Sequence, residues 1–157
     1  MRVYLPASLK LLRSVRDSSV VDGPFDAVAV TSGLREWYST SDADGLEYAA
    51  MARASDLALE AATADRRVVV VVEADDVDVD VTDEPVGSVR LVRIEGARVA
   101  SFHVDDATAV PAVRLARAAL AKAIPDSMPW EVEHLVDHDL AWFARQELDA
   151  VIAELES

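Results

Sequence analysis

Residues 98–123, RVASFHVDDATAVPAVRLARAALAKA, decide the fold because they predict a strand, a short acidic turn and a helix in direct succession. Up to Val104, Ala100 and Phe102 share one face of the predicted strand and Ser101 and His103 the other, which is the two-residue period of β-structure. From Val110 onward, apolar residues recur every three or four positions, as in an amphipathic helix. We therefore expect the other elements to pack beside this strand and helix.

Asp105 and Asp106 lie where the predicted strand ends and the helix begins. Asp106 is placed to accept hydrogen bonds from the free N–H groups of the first turn, and both carboxylates suit the positive end of the helix dipole. The alternative is a candidate metal site in which His103 joins the two aspartates. We expect no bound metal, because the sequence has no metal-binding motif with the right spacing.

Composition excludes several classes of protein. The chain has 157 residues, with 29 acidic against 15 basic residues, a net charge of −14 and no cysteine. The length predicts one domain spanning residues 1–157, and the charge argues against nucleic acid or anionic membrane as a partner. No apolar run approaches the ~20 residues of a membrane span, and thiolate sites are excluded. We expect a cytoplasmic protein.

Five consecutive valines, Val68 to Val72, predict a strand in the middle of a sheet. β-Branched residues favour strands. A strand with apolar side chains on both faces requires other elements of the protein to cover both faces of its sheet. A long helix is predicted from Leu46 to about Ala64, with a capping box at Asp44 and Glu47. Residues 74–86 are acidic and predict either a solvated loop or an exposed edge strand.

The segments 27–73 and 99–136 both predict strand, helix and strand. They suggest a ferredoxin-like pair of βαβ units with an added N-terminal strand and helix and a C-terminal helix. We therefore expect an α+β fold, a two-layer sandwich with a mixed sheet. Near the N-terminus, the sequence predicts a strand at Val3–Leu5 ended by Pro6, a helix capped by Ser8 and a loop at Asp17–Pro24. Near the C-terminus, it predicts a strand at Trp130–Val136 and a last helix from Asp139 to Leu155.

Two clusters that combine aromatic rings with arginine form a candidate binding surface. They are Arg35, Glu36, Trp37 and Tyr38, and His138, Trp142, Arg145 and Glu147. On the predicted last helix, His138, Trp142 and Arg145 are spaced by four and three residues and share one face. Trp, Tyr and Arg carry much of the energy of interfaces, so each cluster suggests a docking surface. The alternative is a buried packing aromatic flanked by surface charges.

Five short strings are distributed along the chain: MRVYLPAS at 1–8, LREWY at 34–38, LEYAA at 46–50, FHVDD at 102–106 and HDLAWFARQEL at 138–148. Together they resemble a family of small acidic proteins of uncharacterised function found in actinobacteria. The resemblance implies a single-domain bacterial protein. It implies no activity and transfers no catalytic residue.

The sequence contains no phosphate loop, no Gly-x-Ser-x-Gly and no zinc-protease helix. With the two aromatic clusters, this favours a non-enzymatic cytoplasmic binding or assembly protein without a cofactor. Its partner, a protein or a small ligand, stays open, and a homodimer is compatible with the sequence. The alternative is a small metal-dependent enzyme that uses strand-end carboxylates with His103 or His138.

Overall fold

The computed structural model describes residues 1–37 and 42–157, which form one antiparallel sheet with helices. The strands are β1 (Arg2–Ala7), β2 (Val20–Ala29), β3 (Val68–Glu73), β4 (Val79–Asp83), β5 (Ser88–Glu95), β6 (Val99–Asp105) and β7 (Leu140–Ala144). The helices are α1 (Leu9–Asp17), α2 (Ser32–Trp37), α3 (Ala43–Ala61), α4 (Val110–Lys122), α5 (Trp130–Glu133) and α6 (Leu148–Glu156). The predicted α+β class is confirmed.

The strand order is β4-β5-β2-β1-β3-β6-β7, and every pairing in it is antiparallel. The predicted mixed sheet is therefore wrong. The ferredoxin-like arrangement is not confirmed, because residues 130–136 are helical and the segment 99–136 lacks its second strand. The acidic segment 74–86 contains β4, which lies at the sheet edge and pairs with β5.

Strand β3 lies in the interior of the sheet between β1 and β6, as the valine run predicts. Its valines are all buried, and they alternate between two apolar clusters. Val68, Val70 and Val72 pack with residues of α1 and α6, whereas Val69 and Val71 pack with α3. Helices thus cover both faces of the sheet, so the expected two-layer sandwich is not confirmed.

The segment that joins β3 to β4 passes beside the end of β5. Pairing between β1 and β2 covers only two residue pairs at the start of β1. Carboxylate oxygens of Glu95, at the end of β5, and of Asp75 and Asp78, which follow β3, lie within 4.8 Å of one another. The larger apolar cluster combines residues of β1, β2, β3, β5 and β6 with residues of α1 and α6.

Two predictions near the N-terminus are wrong in their boundaries. Pro6 lies inside β1 instead of ending it; it is paired with Val69 and lies beyond the two β1–β2 pairs. Proline cannot donate a ladder hydrogen bond, so the divergence of β2 accommodates it. Residues 17–24 are not all loop, because β2 starts at Val20 and passes through Gly23-Pro24 with a register shift. The predicted cap is present: Ser8 Oγ accepts from Leu11 N at 3.3 Å.

The C-terminal predictions are wrong in element type. Alternation predicted a strand at 130–136, yet the buried residues are Val132 and Leu135, a helical spacing, and Val136 is exposed. Both pack on the apolar face of α4. The predicted helix from Asp139 instead begins with strand β7, which pairs along β6, and α6 starts only at Leu148. The strand-favouring aromatics of β7 outweigh the helical spacing of its leucine and alanine residues.

The part of the chain that the structure describes contains no helix that is both long and apolar enough to span a bilayer.

Val70→Ala tests the interior position of β3. Val70 is completely buried, so we expect the free energy of unfolding to fall by about 2 kcal/mol through lost burial and the cavity left behind. The control is Val77→Ala, since Val77 is 86% exposed and should change stability by less than about 0.5 kcal/mol. Urea unfolding measures both. Equal effects of the two substitutions would contradict the fold.

Candidate ligand-binding groove

Two adjoining cavities lie between helix α3 and the sheet face formed by β6 and β7. The first has a volume of about 500 Å³ and extends toward α5, and the second has about 470 Å³ and extends toward β1. Tyr48, Met51 and His103 line both cavities. We therefore treat the two as one continuous site, which we call the α3 groove.

Helix α3 forms one wall because small residues seat it close to the sheet. Ala50, Ala54 and Ala58 recur every four residues and are completely buried against β1, β2 and β3. The adjoining face of the helix carries Tyr48 and Met51 into the groove, and the Tyr48 side chain is 62% exposed. One face of α3 therefore packs into the core, and the adjoining face lines the groove.

His103 forms the middle of the groove floor. It lies on β6 opposite Val69 of β3 and Trp142 of β7, and the Trp142 side chain is 62% exposed. The His103 Nε2 atom is 3.1 Å from Ser101 Oγ, two residues earlier on the same strand. Burial lowers the pKa of His103 below its ordinary value of 6.5, because desolvation disfavours the charged imidazolium.

A buried ion pair between Arg67 and Asp105 fixes the end of the groove beside α5. Arg67 Nε and Nη2 donate to Asp105 Oδ2 and Oδ1 at 2.8 and 2.9 Å, and the Arg67 backbone N–H donates to Oδ2 at 2.8 Å. Arg67 Nη2 also donates to the carbonyl of His138 at 3.0 Å. One guanidinium therefore ties the start of β3 and the end of β6 to the segment that enters β7.

Arg66 extends this network to the other face of the sheet. Its Nε donates to the Asp105 carbonyl at 3.0 Å, and its Nη2 donates to Glu154 Oε1 on α6 at 3.1 Å. Neighbouring residues on a strand point to opposite faces, which explains how adjacent arginines serve α6 and the groove. The end of β6 is thus held from both sides.

Acidic side chains line the first cavity: Asp56 of α3, Glu133 of α5 and Asp139, which precedes β7. The pKa of Asp56 is raised, chiefly because the surrounding protein displaces water from its carboxylate; the charges of Arg67 and Arg53 act in the opposite direction. Although Asp56 is exposed by surface area, its carboxyl group responds to the walls of the groove. The cavity therefore presents negative charge within a largely apolar lining.

The structure separates the residues of the candidate metal site. Both carboxylate oxygens of Asp105 accept hydrogen bonds from Arg67. Asp106 Oδ1 accepts from Thr108 N at 2.9 Å, and this hydrogen bond lowers the pKa of Asp106. Asp106 therefore serves as the predicted cap, here of the short 3-10 turn that leads into α4. His103 contacts Ser101 instead of either aspartate.

The cluster from His138 to Glu147 is divided between two parts of the molecule. His138 lines the first cavity and Trp142 the second. Arg145 Nη1 donates to the Ala97 carbonyl at 2.7 Å, and Glu147 Oε2 accepts from Ala144 N at 2.7 Å, so both serve local structure. The helical face predicted for this cluster does not exist, because β7 carries Trp142.

The other cluster lies on α2, away from the groove. Arg35 and Glu36 are exposed, Trp37 ends the helix, and Tyr38 lies outside the described residues. Leu34 is buried beneath this helix, and Thr31 Oγ1 caps it by accepting from Leu34 N at 3.1 Å. Neither Arg35 nor Glu36 lines either cavity of the α3 groove.

Sequence reasoning missed Tyr48, Met51, Asp56 and Arg67 as site residues. Tyr48 and Met51 lie within the long helix predicted from Leu46, and the signal available in the sequence is the partly polar ring of Tyr48 among apolar residues. Arg67 directly precedes a fully buried strand, and Asp105 ends the strand beside it. A charged side chain at the end of a buried strand needs an oppositely charged partner. This requirement is the sequence signal for the pair of Arg67 and Asp105.

The family model of DUF6912, a family of unknown function, matches residues 1–152 of the chain. The chain therefore belongs to this family, which confirms the resemblance to an uncharacterised family. No curated protein and no solved structure matches the chain. Function has to be inferred from the groove itself.

The pH dependence of His103 tests the environment of the groove floor. We expect its imidazole to titrate below 6.5 in the folded protein. The unfolded chain then binds this proton more readily, so the His103 contribution to stability falls as the pH decreases from 6.5 toward the folded-state pKa. An NMR titration of the histidine resonances gives the pKa, and the resonance that is missing from His103→Gln is that of His103. The free energy of unfolding of this variant, measured in urea, should lack the pH-dependent contribution of His103. A folded-state pKa at or above 6.5 would contradict the assignment.

Proposed function

We propose that this protein is a non-enzymatic binding protein and that the α3 groove takes a small organic ligand. The observation that carries the proposal is that Tyr48, Met51 and His103 line two adjoining cavities, whose volumes are about 500 and 470 Å³. Sites for small molecules are concave and mostly apolar with a few placed polar groups, and they measure roughly 300–1,000 Å³. The first cavity of the α3 groove has each of these properties, and the second cavity has a suitable volume with a more polar lining.

Exposed aromatic rings at the groove support the proposal. Tyr48 on α3 and Trp142 on β7 are each 62% exposed, although both rings have large apolar surfaces. Both line the second cavity. A ligand placed between them would cover apolar area that water contacts in the free protein, which favours binding.

The walls of the groove also favour binding, because they are anchored before a ligand arrives. Helix α3 is seated by its buried alanines, and the floor is held by the Arg67–Asp105 pair. A site whose walls are already ordered loses less conformational entropy when a ligand binds.

The alternative of a metal-dependent enzyme has no comparable support. Asp105 is committed to Arg67, and Asp106 caps the turn before α4. In the described part of the chain, the side chains with suitable spacing for a cation are Asp75, Asp78 and Glu95. Asp75 and Asp78 are within ion-pairing distance of Arg98 and Arg93, respectively, so nothing there points to a metal.

The proposal places the protein in the cytoplasm as a single domain of residues 1–157, consistent with a cysteine-free, acidic composition. The charge of −14 argues against nucleic acid as the ligand.

Ala52→Trp tests the proposal, because Ala52 is exposed on α3 and lines the first cavity. An indole there should fill the groove without entering the core. We expect organic fragments to shift the NMR amide resonances of Tyr48, Met51 and His103 in the native protein, and to lose this effect in Ala52→Trp.

The matched control is Ala61→Trp, which adds the same ring to an exposed position on α3 outside both cavities. It should bind the same fragments with unchanged affinity. Fragments that bind elsewhere, or that bind Ala52→Trp as well as the native protein, would overturn the proposed function.

A further inference from the structure

We propose that the ligand of the α3 groove is an organic cation, a small apolar body that carries a protonated amine. The inference rests on the proposed function, because it names the class of molecule that the same groove binds. It commits to a free small molecule and not to a protein. Its support is the charge balance of the groove, the state of the cations that line it and the placement of its aromatic rings.

The first cavity has carboxylates on three sides and lacks a matching free cation. Asp56 projects from α3, Glu133 from α5 and Asp139 from the segment before β7. Within residues 1–37 and 42–157, none of the three lies within ion-pairing distance of an arginine or lysine side chain. An ammonium group in this cavity would meet complementary charge on each of these walls.

The arginines that line the groove are already neutralised by the protein. Arg67 is buried with Asp105 and donates to both carboxylate oxygens. Arg2, in the second cavity, has its Nε 2.6 Å from Glu73 Oε1 and its Nη1 3.5 Å from Glu47 Oε1. An anionic ligand would have to displace these carboxylates, whereas a cationic ligand requires no such exchange.

Apolar and aromatic side chains supply contacts for the rest of the ligand. Met51 and Leu140 line the first cavity, and the Tyr48 ring lies where the two cavities join. Trp142 of β7 lines the second cavity. Tyrosine and tryptophan faces attract cations through the ring quadrupole. The aromatic rings and the carboxylates therefore favour the same kind of ligand.

Three probes that differ mainly in charge test the inference: 2-phenylethylamine, 2-phenylethanol and 3-phenylpropionate. We expect the amine to shift the amide resonances of Tyr48, Met51, Asp56 and His103 in an NMR titration. The alcohol should bind more weakly, by up to about fivefold for each exposed charge pair that the amine forms, and the carboxylate should bind more weakly still. Added salt should lower the affinity for the amine alone, because salt screens the exposed carboxylates of the groove.

Asp56→Asn should weaken the binding of the amine, bringing its affinity closer to that of the alcohol, and should leave the affinity for the alcohol unchanged. This variant should fold, because Asp56 lies at a position of α3 that is exposed by residue surface area and forms no ion pair with the residues that the structure describes. The matched control is Glu60→Gln, which removes one exposed charge from α3 outside both cavities. It should leave the affinity for the amine unchanged.

The outcomes separate this inference from the proposed function. Equal binding of the amine and the alcohol at the groove would overturn the cation assignment and leave a binding groove in place. Preferential binding of the carboxylate would also overturn the assignment. If none of the three probes shifts the groove resonances, the assignment is wrong, and the fragment test with Ala52→Trp then decides the proposed function separately.

Discussion

The buried ion pair between Arg67 and Asp105 is the constraint on which the rest of the groove depends. Two charges removed from water are tolerated only when they neutralise each other and their hydrogen-bonding groups are satisfied. Here the guanidinium meets both carboxylate oxygens and the carbonyl of His138, and Asp105 is completely buried. An alternative alignment of β3 on β6 would leave a buried charge without its partner. We therefore infer that the ion pair specifies the register of these two strands.

The ion pair and helix α3 together explain why an open groove persists in a small, tightly packed protein. Fixing the end of β6 also fixes the segment that enters β7, and β7 then places Trp142 opposite His103. On the other side, alanines bring α3 onto the sheet, while Tyr48 at its margin stands away from the core. The groove is the space between helix α3 and the part of the sheet that the ion pair fixes.

The sequence predicted the elements whose signals are local. The five valines of β3, the cap at Ser8 and the apolar spacing of α4 need no knowledge of distant residues. Residues 130–148 could not be assigned in this way, because Val132 and Leu135 are buried by α4 and β7 is a strand through its pairing with β6. The groove escaped prediction for the same reason, since its walls come from segments far apart in the chain.

A double-mutant cycle on Arg67→Met and Asp105→Leu, measured by urea unfolding, tests the central claim. Each single substitution leaves a buried charge unpaired and should cost about 3–5 kcal/mol, whereas the double variant should cost much less than their sum. The exposed pair Arg13–Glu156 is the control, and its coupling should stay below about 1 kcal/mol. Costs at Arg67 and Asp105 that add to within about 0.5 kcal/mol would contradict the account.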